Sequence, residues 1–217
     1  MNTQMKLIIL FSFSFLFNVA FGQESGNKYI KKGDFPDGVY MTLEDVLSKT
    51  PSSTDEIYFK TSYSYDSINL PEKAFFYFKK KDKRLIYPLA VSYKGEMYFQ
   101  TYNKYTNKKD KGYDPDQTSR FCKVTNYGRF IYFEEDMRGI WSKALSINLN
   151  PMWYKVKGKT KGIVLDLDNK ELNMLRDCDD INNFLTSHQI LDIKCNSEDL
   201  TLGELRTMID EINKPYR

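Results

Sequence analysis

The chain of 217 residues contains one histidine, His188, and three cysteines, Cys122, Cys178 and Cys195. These are the side chains best suited to nucleophilic or metal chemistry. A His-rich zinc site or a histidine proton relay would rest on His188 alone. Its surroundings, Thr186-Ser187-His188-Gln189, read instead as the end of a helix, where the macrodipole favours a cation. A Ser-His-Asp triad is assembled in space and not in sequence, but no Gly-x-Ser-x-Gly turn presents a serine. A thiol partnered by His188 would have to be Cys122 or Cys195. Against it stands the odd cysteine number: in an oxidising compartment, one disulfide and one free thiol is the simplest arrangement. Cys178 with Cys195 is the expected pair, because both fall in the helical tail, and closing that loop would stabilise by about 3 kcal/mol in the chain-entropy model. Cys122 falls in an expected strand and reads as a small buried apolar residue.

Carboxylates offer three further chemistries. Ile163-Val164-Leu165-Asp166-Leu167-Asp168 is similar to the strand-borne nucleophile motif of haloacid dehalogenase-like phosphatases. Too little chain follows to supply that fold's later lysine and metal-binding acids, and Asp168 reads as a helix N-cap. Asp110, Asp114 and Asp116 could gather oxygens around calcium, but the EF-hand spacing and its terminal Glu are absent, so they read as solvated loop acids. Glu134, Glu135 and Asp136 could supply the acid and base of a hydrolase, which a glycosidase needs about 5 to 9.5 Å apart in a cleft. No metal or cofactor is expected.

Basic runs interleave with aromatic residues at Lys79-Lys80-Lys81 with Lys83-Arg84, and again from Lys104 to Lys111. This is the crude look of a nucleic-acid surface. The first run falls on a hairpin tip and the second in a loop, where lysines sit in water, and no nucleic-acid partner is expected. Tyr102, Tyr105 and Tyr113 beside them are candidates for stacking on a sugar ligand. From Asp166 to Arg217 there are 12 acidic and 6 basic side chains, whereas residues 23–165 carry a net charge of +8. Either the acidic tail compensates the basic front internally or the front meets an anionic partner; the internal explanation is the expected one.

The elements that must position these groups follow an expected signal peptide, residues 1–22. Lys6 precedes a hydrophobic run from Leu7 to Phe21, and Ala20 and Gly22 suit a signal peptidase. No cysteine follows the run, so the chain is expected to be exported to the periplasm, outer membrane or medium and not to be a lipoprotein. No later stretch is apolar enough to span a membrane. Thr42 with Asp45 forms a capping-box pattern ahead of a short helix over 43–48. Period-two patterning predicts strands at 57–63, 74–79, 85–92, 97–102, 121–125, 129–134 and 152–156, with Pro88 marking an edge or bulge. Their short connectors demand antiparallel neighbours. Residues 163–167 form a further brief strand, Asp168 with Glu171 is expected to open a helix, and Thr201 with Glu204 opens a last helix over 202–213. The expected fold is α+β: an antiparallel meander sheet of about six or seven strands, a short N-terminal helix and a helical C-terminal tail. Residues 23–160 hold the helix and sheet, and residues 161–217 the tail packed on them, as one domain.

Pro36-Asp37-Gly38-Val39-Tyr40, then Thr42, Glu44-Asp45-Val46 and Pro51, resembles the opening of a family of uncharacterised exported Bacteroidetes proteins that carry a domain of unknown function. The strand within Asn126 to Phe133 and the Leu-rich tail from Leu165 are similar to later parts of such chains. The resemblance implies an envelope or secreted location and supplies no catalytic residue. The expected function is a non-catalytic envelope or secreted binding module for a protein or glycan, the alternative being a carboxylate-dependent hydrolase of an envelope polymer.

Overall fold

The computed structural model describes residues 29–60, 70–101, 104–110, 120–136, 160–197 and 199–216. The expected leader and the expected strand at 152–156 lie outside them. Strands β1 (Gly38–Tyr40), β2 (Ile57–Lys60), β3 (Lys73–Phe78), β4 (Lys83–Arg84), β5 (Ala90–Tyr93), β6 (Glu96–Gln100), β7 (Phe121–Asn126), β8 (Phe130–Asp136), β9 (Thr160–Asp166) and β10 (Glu171–Leu175) form one sheet. Helices α1 (Leu43–Leu47), α2 (Cys178–Ser187) and α3 (Leu202–Asn213) complete an α+β fold. The main path runs β1-β5-β6-β7-β8-β9-β10, and β3, flanked by β2 and β4, branches from β7. Among the described residues every pairing between these strands is antiparallel.

Alternation along the strands builds two apolar faces. Tyr40, Phe99, Ile131, Phe133, Ile163 and Leu172 point to one face, where Leu43 and Val46 of α1 join them. Residues one step out of phase point to the other, which has two covers. At one end, Val39, Val91, Tyr98 and Phe121 meet Phe59 and Phe76 of the β2-β3-β4 layer. At the other, Phe130, Tyr132 and Val164 meet α2 and α3.

Capping explains where the helices start. Thr42 Oγ1 accepts from the Asp45 amide while the Asp45 carboxylate accepts from the Thr42 amide, and Thr201 with Glu204 repeats the arrangement ahead of α3. Leu202, Leu205, Ile209 and Ile212 form the buried stripe of α3. Its close approach requires Gly162 on β9: a Cβ there would lie 2.6 Å from Leu205 Cδ2 and 2.7 Å from Tyr132 Cε2.

Two expectations are corrected. Residues 171–175 are strand β10, not the helix that the Asp168-x-x-Glu171 pattern predicts. Asp166 is the cause: its carboxylate accepts from the amides of Asp168 and Asn169, which tightens a turn and returns the chain antiparallel to β9. The single strand expected over 85–92 is broken at Leu85–Leu89, around Pro88, where the chain passes from the β2-β3-β4 layer to the main path.

The tail carries its own cross-link. Cys178 and Cys195 form a disulfide with Cα atoms 5.2 Å apart, and Cys122 is free and buried. Replacing both bridged cysteines with serine is expected to lower stability by about 3 kcal/mol, read as a lower urea midpoint.

Candidate functional site

Two of the carboxylates singled out for catalysis, Glu134 and Glu135, are engaged inside the fold. Glu134 and Glu135 occupy successive positions of β8, so they point to opposite faces of the sheet and cannot flank one bond. Glu134 is held by Arg206 of α3 through Nε–Oε1 and Nη2–Oε2 bonds, both 2.7 Å, and accepts the Tyr132 hydroxyl at 2.8 Å. The same carboxylate raises the Arg206 pKa, against the effect of burial. Glu135, on the other face, accepts from Arg120 Nε at 3.0 Å, from Lys73 Nζ at 3.1 Å and from the Cys122 thiol at 3.2 Å. Burial, then the adjacent Glu135 charge, pushes the Cys122 pKa well above its ordinary value, so the thiol is a donor and not a nucleophile. Asp136 ends β8.

His188 caps the C-terminus of α2. Its Nε2 lies 2.6 Å from Asp166 Oδ2 and its Nδ1 lies 2.8 Å from the Phe184 carbonyl oxygen. A carbonyl only accepts, so Nδ1 carries a proton, and the carboxylate stabilises a second proton on Nε2. With both nitrogens occupied, His188 is a structural cation and pairs with neither Cys122 nor Cys195. Asp166 is thereby also accounted for, and Asp168 pairs with Arg129 at 2.6 Å.

The hydrogen bond to Asp166 raises the His188 pKa against burial and the charge of Arg129. Burial would raise the Asp166 pKa, but His188 and the turn amides lower it. The His188 contribution to stability is therefore complete below its unfolded pKa of about 6.5 and is lost as pH rises through the higher folded value. The Asp166 contribution is lost as pH falls through its depressed value. Melting temperature is expected to decline from near neutrality upward in the natural protein, and a His188→Phe variant, which keeps a ring against Phe130 and Phe184, should lack that slope.

Of the loop residues, Asp110 is fully buried and accepts from the Met174 amide at 2.9 Å, so it is not a solvated loop acid. Asp114 and Asp116 lie outside the described residues, as do Tyr102 and Tyr113. Tyr105 is in place but occupied: its hydroxyl accepts from the Leu43 amide at 3.0 Å and donates to Glu44 at 3.3 Å, and its ring packs on the core. Among the described residues no group of three or more His, Cys, Asp or Glu side chains could hold a metal ion. No helix among them is long and apolar enough to cross a membrane.

A different surface collects aromatic rings and cations, of which sequence reasoning singled out only the basic run from Lys79 to Arg84 and not the rings. On β2 and β3, Ile57, Phe59, Ala74 and Phe76 face inward, so Tyr58, Lys60, Phe75 and Tyr77 face away from the core. Register places Tyr58 opposite Tyr77, Lys60 opposite Phe75, and Arg84 of β4 opposite Tyr77. The two tyrosine rings stack with centroids 5.4 Å apart. Lys60 Nζ sits 4.2 Å from the Tyr77 centroid, and the Arg84 guanidinium sits 4.0 Å from the centroid of Phe75. Asp82 accepts from the Tyr58 hydroxyl and from Lys60 at 3.1 Å. The bond to Asp82 raises the pKa of Tyr58, hydrogen bonding to Tyr58 and then to Asp82 raises that of Lys60, and the bonds from Tyr58 and then Lys60 lower that of Asp82. Arg84 Nε is buried with no hydrogen-bond partner among the described residues. Beyond β4, Ile86 is 44% and Tyr87 82% exposed.

Protein-family models, curated proteins and solved structures all return no match to this chain. Function therefore has to be argued from the site alone. The signal for this face was present in the alternation of Tyr58 with Lys60 and of Phe75 with Tyr77. Its direction was not, because that depends on which side of the layer meets the main sheet.

Proposed function

We propose that the protein is a non-catalytic, exported binding module that holds a glycan on the outer face of β2-β3-β4. The observation that carries this reading is the row of half-buried rings and cations on one flat sheet face, Tyr58, Lys60, Phe75, Tyr77 and Arg84. Rings of this kind give a sugar an apolar seat, and ring-backed cations supply charge without long flexible arms. Polar groups that a hydrolase would aim at a substrate are here spent on internal ion pairs at Glu134 and Glu135. Export, and the envelope or secreted location that goes with it, rest on the leader-like first 22 residues and on the resemblance to exported Bacteroidetes proteins.

The test passes purified protein over immobilised envelope polysaccharide and assays the eluate for new reducing ends. Retention without cleavage is expected, with Tyr77→Ser reducing it. Turnover that disappears in Glu134→Gln or Glu135→Gln would replace this reading with the hydrolase one.

A further inference from the structure

Resting on that reading, we infer that the ligand is an acidic polysaccharide, a chain of sugar rings bearing carboxylate or sulfate groups. The turn from Lys79 to Arg84 holds five cations against one acid, Asp82. Lys79 is drawn to Glu56 at 2.5 Å and Asp82 to Lys60 at 3.1 Å. Lys80 and Lys81, in the turn, are exposed and have no ion-pair partner among the described residues, whereas Lys83 pairs with Phe78 and alternates with Arg84 to the other side of the layer. Lys80 and Lys81 lie in the turn ahead of Arg84, whose guanidinium sits 4.0 Å from the Phe75 ring centroid and is the group type that matches a carboxylate or sulfate. The face is thus positive along one side and aromatic along the other. A neutral glycan leaves the two turn lysines unused, and an acidic peptide leaves the Tyr58–Tyr77 pair unused. A polymer alternating rings with anions engages both. Charge there accounts for part of the basic front of the chain, while other front cations, Arg129 and Lys109, pair with Asp168 and Asp180 of the acidic tail.

The experiment measures binding of the purified full chain at low salt to polygalacturonate, heparin, dextran and poly-L-glutamate. Both acidic glycans are expected to bind in a salt-sensitive way, dextran not at all, and poly-L-glutamate at least about tenfold more weakly. The two acidic arms separate carboxylate from sulfate recognition. The double variant Lys80→Ser, Lys81→Ser changes only exposed positions and should weaken glycan binding about fivefold, while Tyr77→Ser should bring the preference over poly-L-glutamate close to parity. Unchanged affinity in the double variant, or poly-L-glutamate bound as tightly as the glycans, overturns the inference. Dextran bound through Tyr77 would overturn the inference and leave the glycan-binding reading standing. Cleavage of a bound acidic glycan would do the reverse.

Discussion

Replacing Glu135 with alanine is expected to destabilise the fold by about 3–5 kcal/mol, because it removes one member of a buried charge group and strands the rest. Its side chain is 1% exposed, and it is the common acceptor for Arg120, Lys73 and Cys122. The Lys73 pKa records the balance: burial works against its ammonium, yet the Glu135 charge holds it above the ordinary value. Lys73 and Arg120 are partly exposed, at 28% and 16%, so water relieves some of the loss and the lower end of that range is favoured. Urea titration followed by tryptophan or tyrosine fluorescence measures it. A Glu135→Gln variant keeps an acceptor of the same shape and should fall between. A loss under about 1 kcal/mol would mean that the cluster is not the anchor between β3, β7 and β8 described above.

Phe76→Ala is expected to cost a similar amount, about 3–5 kcal/mol, by opening a cavity at the centre of the β2-β3-β4 cover. Phe76 is fully buried and meets Phe59, Tyr93, Tyr98 and Phe121 with ring centroids 5.0 to 6.3 Å apart. Its chain neighbour Tyr77 points the other way. The two substitutions therefore separate fold from function across a single peptide bond: Phe76→Ala should lower the melting temperature, and Tyr77→Ser should lower ligand binding while leaving the unfolding transition cooperative. If both acted mainly on stability, the outer face would be a structural surface only.

Local signals carried much of the architecture. The helix at 202–213 was readable because a capping box, Thr201 with Glu204, precedes an apolar stripe of helical period, and both act within a few residues. The antiparallel meander was readable from short connectors that leave no room for crossovers. The hairpin of β9 and β10 was misread because Asp168-x-x-Glu171 with Leu172 and Leu175 imitates a helix start. Pairing with Asp166 through Gly162 decides the matter, and a five-residue window does not contain it. The fate of Glu134 depends on Arg206, 72 residues later in the chain, and that of Asp166 on His188, 22 residues later. No pattern in sequence links those partners. The aromatic face was half legible: alternation set Tyr58 and Tyr77 in phase, but the branching of β3 from β7 determines that this phase points outward.

Hydrogen–deuterium exchange of the full chain with and without saturating polygalacturonate most directly tests where ligand is held. Protection concentrated at residues 57–60 and 73–84, abolished by Tyr77→Ser, is the expected result. Protection centred instead on the Cys178–Cys195 region or around Glu134 would contradict it and move the site to the helical end of the molecule.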